Sequence, residues 1–219
     1  MLEPLLIAGA GFGLGLRHAT DADHVVAVTT IVAQRPTLRR AATIGALWGV
    51  GHSLTLLVVG GALVLTRTEL PPRLGLALEL FVALMLLVLG VRNVLDRRPP
   101  AERHAHGLAT TDHRPLLVGL VHGLAGSAAV ALLAVNAIAS PVAALGYLAV
   151  FGTGTIGGMV LVTMLLAAPA AIAGPRMLRW QRAIRLTAGV LSLAFGLLLA
   201  REIVVEGGLF TAAPRWSPH

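Results

Sequence analysis

The 219-residue chain contains no cysteine, which excludes a disulfide framework, a thiolate zinc site and an iron–sulfur cluster. Any metal must be held by histidine, carboxylate, amide or backbone oxygen. Lysine is absent too, so all 17 basic residues are arginines. A Walker A loop needs Gly-Lys, and an ATP-driven step would therefore require a partner protein. No His-Glu-x-x-His is present, which disfavours zinc-protease chemistry. Charge is scarce altogether, at 12% of residues against 56% hydrophobic, with a mean hydropathy of +0.83. Those values lie outside the soluble range and indicate an integral membrane protein whose first partner is the lipid bilayer. The net charge of +7 then reflects membrane topology, and no nucleic-acid partner is implied. The N-terminus MLEPLLIAG places Glu3 where a signal peptide carries a basic region, so no cleaved leader is expected.

What is present is a set of apolar runs long enough to cross a ~30 Å hydrocarbon core. They cover residues 4–33, 41–66, 74–95, 115–138, 142–173 and 186–206, which predicts an all-α polytopic protein with six transmembrane helices. The chain reads as one transmembrane permease domain. Its first half is 1–95, a loop follows over 96–114, the second half is 115–206 and a tail is 207–219. The connections at 34–40, 96–114 and 174–185 carry Arg35, Arg39, Arg40, Arg97, Arg98, Arg103, Arg114, Arg176, Arg179, Arg182 and Arg185. The opposite connections and tail carry only Arg67, Arg73 and Arg215. The positive-inside rule puts the arginine-rich set in the cytoplasm and both termini outside, in the inner (cell) membrane of a bacterium or archaeon.

Two runs are too long for an ordinary crossing, since thirty helical residues reach about 45 Å. Each is expected to break or tilt at its glycines: Gly9, Gly11, Gly13 and Gly15 in the first, and FGTGTIGGM (Gly152, Gly154, Gly157, Gly158) in the fifth. Interrupted helices at corresponding places in two halves point to a transport site. A weak internal repeat agrees. GLRHATDADHVVAV lies on GLVHGLAGSAAVAL, matching His18 with His122 and Asp23 with Ser127. IGALWGVGHSL lies on LGYLAVFGTGT, matching His52 with Thr153. Three spans per half make the copies inverted in the membrane, a possible 3+3 inverted repeat.

The informative stretch is GLGLRHATDADHVVAV, residues 13–28, which sets Arg17, His18, Asp21, Asp23 and His24 inside a membrane span. Each Asp or Arg at a helix centre costs roughly 2.5–3.5 kcal/mol, whereas each Leu, Ile, Phe or Val returns about 0.3–0.6. Those groups must pair, line water or bind an ion. An Arg17–carboxylate pair that tolerates burial explains one charge of each sign but not two added histidines. Neutral imidazole with carboxylate suits borderline divalent ions such as nickel, cobalt and zinc. On a straight helix His18 and His24 lie about 120° and ~9 Å apart, so both reach one ion only if the helix distorts, between Gly13 and His24. His52, near mid-membrane in WGVGHSLTL, adds a third imidazole. The candidate metal residues are thus His18, Asp21, Asp23, His24 and His52, with His122, Ser127 and Thr153 as second-half candidates.

At these residues the chain resembles the nickel/cobalt transporter family. RHATDADHVVAV is similar to its signature, Arg-His-Ala-x-Asp-Ala-Asp-His-Ile, with the His-x4-Asp-His core, and GVGHSLTLLVVG is similar to its next-helix Gly-His-Ser motif. The resemblance implies that His18, Asp23, His24 and His52 take part in metal selection with Asp21 close by. Two departures stand out: family members carry a helix before the signature, and the later Asp-Thr-Ala-Thr-Glu motif has no match, VHGLAGSAAV occupying the comparable place.

The leading expectation is a permease for nickel(II) or cobalt(II), with the ion as cargo, no permanently bound cofactor and no enzymatic activity. The alternatives are a membrane acyltransferase using His18-x4-Asp23, with His as general base, and a proton-linked exporter of another solute. The loop RRPPAERHAHGLATTDHR, with His104, His106, Asp112 and His113, reads as a solvated polar segment. Glu79, Glu202 and Glu206 read as interfacial, and APRWSPH as a disordered tail with an interfacial Trp216.

Overall fold

The fold was analysed from a computed structural model, which describes residues 2–32, 37–68, 70–95, 113–124, 138, 140–173 and 178–216. Among the described residues there are seven helices and no strand. They are α1 (Leu2–His18), α2 (Ala22–Val32), α3 (Leu38–Thr66), α4 (Pro72–Leu95), α5 (Arg114–Leu124), α6 (Pro141–Ala173) and α7 (Leu178–Arg201). Helix α3 contains a π-helical turn at Leu56–Gly60, and α7 continues through another at Glu202–Glu206.

Local sequence explains the ends. Helix α6 starts at Pro141, a residue pre-set for the first helical position, and the Ser140 hydroxyl accepts the Ala143 N–H at 3.4 Å. Helix α3 stops at Arg67, which takes a left-handed conformation (φ 49°), and Pro71-Pro72 then opens α4. Four stretches, Leu38–Thr66, Pro72–Leu95, Pro141–Pro169 and Arg182–Glu206, are long and apolar enough to cross a membrane. Their outer faces leave Val58, Leu65, Phe81, Val88, Leu165 and Leu198 exposed. Such faces suit lipid, and the chain is an integral membrane protein.

The first run is divided between α1 and α2. At Ala19–Asp21 the backbone tightens, with the Thr20 and Asp21 N–H groups donating to the Arg17 and His18 carbonyls at 2.8 and 3.1 Å. The Thr20 hydroxyl takes the Arg17 carbonyl as well, at 2.6 Å. Arg17 and His18 close α1, where its dipole favours cations, and Asp23 sits in the first turn of α2, where it favours anions. The string RHATDADH therefore writes a helix stop followed by a helix start.

Several expectations are corrected. The fifth run does not break at its glycines. Helix α6 runs 33 residues with Pro169 near its end, so at about 50 Å it must tilt or protrude. Its glycines instead admit neighbouring helices: a Cβ on Gly154 would meet the Phe12 carbonyl, and one on Gly158 would meet Leu16. The connection expected over 174–185 is shorter, because α7 resumes at Leu178, and Arg185 is buried with its guanidinium donating to the Asn93 carbonyl at 2.9 Å. The tail is ordered through Trp216. Its indole donates to Glu79 at 2.8 Å and packs against Gly75, while the Arg215 N–H returns to the Gly207 carbonyl at 2.9 Å. Of the fourth run, the part within α5 and Ile138 lie among the described residues.

Packing interleaves the two halves of the sequence. Helix α1 lies parallel to α6, Gly11 facing Tyr147 and Gly15 facing Phe151 and Thr155. Helix α5 lies parallel to α3, Gly119 facing Trp48 and Gly123 facing His52 and Thr55. The centre is an antiparallel crossing of α3 and α6, with Gly49 on Ile156 and the Ser53 hydroxyl donating to the Gly152 carbonyl at 2.9 Å. Helices α4 and α7 also run antiparallel, Gly90 and Gly189 each meeting the other's carbonyl. Small residues at every crossing bring backbones close, as membrane helices require where lipid offers no hydrophobic drive for association.

Candidate metal centre

Four helix segments deliver four imidazoles to one place. Helix α1 ends on His18, α2 begins with Asp23 and His24, the midpoint of α3 supplies His52, and the last turn of α5 supplies His122. The break at Ala19–Asp21 resolves the 120° separation expected between His18 and His24, whose ring centroids are 4.6 Å apart. His52 lies 5.1 Å from His18 and 5.2 Å from His24, and His122 lies 4.3 Å from His24.

Hydrogen bonds assign the tautomers, because a carboxylate only accepts. His18 Nδ1 lies 2.8 Å from Asp21 Oδ2, so its proton sits there and Nε2 carries the lone pair. His24 Nδ1 lies 3.0 Å from Asp23 Oδ1, leaving Nε2 with a lone pair. The other oxygen of Asp23 accepts from His122 Nε2 at 2.7 Å, which leaves Nδ1 of that ring as an acceptor. His18 Nε2 and His52 Nε2 meet at 3.2 Å. A carboxylate that fixes one ring nitrogen and aims the other inward is a common arrangement behind metal-ligating histidines.

The centre is poorly satisfied as a purely structural network. His24 Nε2, His52 Nδ1, His122 Nδ1 and Trp48 Nε1 are buried and have no hydrogen-bond partner among the described residues. Each such group costs roughly 1–3 kcal/mol. A cation taking nitrogen lone pairs would offset that cost on the histidines. Two sets offer ligand atoms all within 4.8 Å of one another: His18, His24 and His52, and then Asp23, His24 and His122.

The remaining candidates fare differently. Asp21 and Asp23 are placed against histidines, and Arg17 is exposed and forms no ion pair with either among the described residues. Thr153 lies on the exposed face of α6, its hydroxyl bonded back to the Val150 carbonyl at 2.7 Å, away from the cluster. Ser127, His104, His106 and Asp112 lie outside the described residues, and His113 is exposed just before α5. Trp48 was not singled out, yet its ring stacks on His24 (20° between planes, 6.2 Å between centroids) and meets His122 at 5.9 Å. Its position one turn before His52 on the same helical face was the available signal.

The chain is 34% identical over 222 residues to urease accessory protein UreH of Bacillus sp. (strain TB-90), the alignment covering 95% of this chain and 96% of that protein. No family profile and no solved structure matches.

Proposed function

The chain belongs to the family of urease accessory protein UreH, and from that premise we propose that it is a membrane permease for a divalent transition-metal ion, nickel(II) or cobalt(II). We read it as an accessory protein, as that relative is named, and not as an enzyme. The observation that carries the transport reading is the set His18, His24 and His52, whose ligand atoms lie within 4.8 Å of one another beside the midpoint of α3, two of the rings oriented by carboxylates. Imidazole suits nickel, cobalt and zinc, whereas magnesium and calcium prefer oxygen ligands and gain little from it. The resemblance of RHATDADHV to nickel/cobalt transporters and the urease-accessory kinship narrow the choice to the first two.

The acyltransferase alternative is disfavoured by geometry. It needs His18 paired with Asp23, but His18 pairs with Asp21, and Asp23 accepts from His24 and His122.

We read the architecture as six spans in a 3+3 inverted repeat, in a cell membrane with the arginine-rich connections inside. Matched contacts support the repeat. Gly15 on Phe151 corresponds to Gly119 on Trp48, Gly154 on Phe12 to Gly51 on Leu116, and Gly49 on Ile156 to Gly152 on Ser53. Opposed directions of α3 and α6, and of α4 and α7, support the inversion. This register pairs His52 with Thr155, two residues beyond the Thr153 that sequence comparison aligned with it.

The test is nickel and cobalt accumulation in cells expressing the chain. His24→Ala is expected to abolish accumulation at unchanged expression and membrane insertion, and wild-type accumulation by that variant would remove the basis for a metal site here.

A further inference from the structure

We propose that the metal path has two coordination positions sharing His24, one formed with His18 and His52 and a second formed with Asp23 and His122, between which the ion passes in translocation. The inference rests on the permease reading and adds a route to it. His24 stands between the two sets, 4.6 Å from the His18 ring and 4.3 Å from that of His122. Its Nε2 is buried and unpartnered, and its Nδ1 faces Asp23. Asp23 reaches both rings of the second set, His24 through Oδ1 and His122 through Oδ2.

Two features argue for successive positions rather than one four-histidine cage. Each set has one partly open member, His18 at 16% and Asp23 at 28% side-chain exposure, while His24, His52 and His122 are buried, so each position has its own way out of the enclosed centre. His18 and His122 also occupy matched places. Each follows by three residues a glycine seated on a helix of the other half, and each packs on an aromatic of that helix, Phe151 at 5.4 Å and Trp48 at 5.9 Å. In an inverted repeat, matched places face opposite sides of the membrane.

Transfer breaks the bonds from the ion to His18 and His52 and forms bonds to an Asp23 oxygen and a His122 nitrogen. Each carboxylate-paired imidazole stays neutral throughout, its proton on the nitrogen that faces the carboxylate and its lone pair free for the ion. His24 Nε2 and His122 Nδ1, both buried without hydrogen-bond partners, are those lone pairs in the second position, and no proton moves. A neutral imidazole offers one lone pair, so the shared His24 serves one ion at a time and each chain holds one ion in transit.

The experiment combines calorimetric titration of NiCl2 into purified full-length protein in nanodiscs with nickel accumulation in cells, for wild type, His18→Ala, His122→Ala and His122→Gln. His18→Ala is expected to weaken binding at least about tenfold. Both His122 variants are expected to bind nickel within about threefold of wild type yet accumulate it at least about tenfold more slowly. His122→Gln keeps an N–H for Asp23, so it preserves the hydrogen bond and guards against a folding defect in His122→Ala. Wild-type accumulation by His122→Gln would overturn the proposal by reducing His122 to a hydrogen-bond donor. Binding lost in both His122 variants as severely as in His18→Ala would overturn it in favour of a single cage. Failure of the wild type to bind nickel or cobalt, or wild-type binding by His18→Ala, would instead overturn the permease reading itself.

Discussion

Asp21→Ala tests whether the carboxylates of this centre orient ligands or bind the ion. In the structure Asp21 holds His18 Nδ1 at 2.8 Å, fixing the proton there and leaving Nε2 as the lone pair that faces His52. Removing the carboxylate frees the imidazole to rotate and to exchange tautomers. Loss of such an orienting partner typically weakens metal affinity about 10–100-fold. The Asp21 side chain is half exposed, and solvent can replace part of its hydrogen bond, so the lower end applies: about tenfold, or ~1.4 kcal/mol. Asp23, with 28% of its side chain exposed and two histidines to hold, should cost more on conversion to Ala, towards about 100-fold. Asp21→Asn retains an oxygen that accepts from Nδ1–H and should recover much of the loss. Nickel titration into nanodisc-embedded protein reads all three. Binding within about twofold of wild type by Asp21→Ala would refute the orienting role, and a loss that Asp21→Asn fails to recover would make Asp21 a direct ligand.

Two further outcomes follow from packing. Gly119→Leu would drive a side chain into the backbone of Trp48 and His52, with overpacking of at least ~1–3 kcal/mol, and should reduce monodisperse protein on size exclusion. Gly146→Leu, where nothing lies within 4 Å of the added Cβ, should leave it unchanged. Trp216→Ala removes the indole bond to Glu79 and the packing on Gly75, so tryptic cleavage after Arg215 should accelerate while nickel accumulation persists.

Much of this arrangement was legible in the sequence because lipid punishes unpaired charge. An ionisable cluster inside an apolar run has few stable explanations, and excess length pointed to a broken first helix. The break nevertheless falls at Ala19–Asp21, beyond the glycines, and the comparably long fifth run stays whole through its own glycines. Even the place of the break is written, since Arg17-His18 suits a helix end and Asp21 with Asp23 suits a helix start. The pairing of acids with imidazoles was not legible. His-x4-Asp spacing draws attention to His18 with Asp23, but once the helix is interrupted at Ala19–Asp21, residue spacing no longer measures distance, and Asp21 reaches His18 while Asp23 turns to His24 and His122.

The misplacement of Thr153 has a different physical origin. In helices built largely of Leu, Ala, Val and Gly, several alignments score alike, and a shift of two residues preserves composition while rotating the face by about 200°. That rotation separates Thr153, exposed on the outer face of α6, from Thr155, fully buried with its hydroxyl on the Phe151 carbonyl at 3.0 Å. Close approach removes the ambiguity. Gly15 meets the Phe151 carbonyl and the Thr155 amide, as Gly119 meets the Trp48 carbonyl and the His52 amide, and backbone-to-backbone contact tolerates no slip. Glycines that seat one helix on another therefore carry the register that hydropathy leaves open, and they set His52 opposite a threonine that can bond its own helix but offers no imidazole. On the proposed repeat, the first half then supplies three of the four imidazoles gathered at the centre, His18, His24 and His52, and the second half only His122.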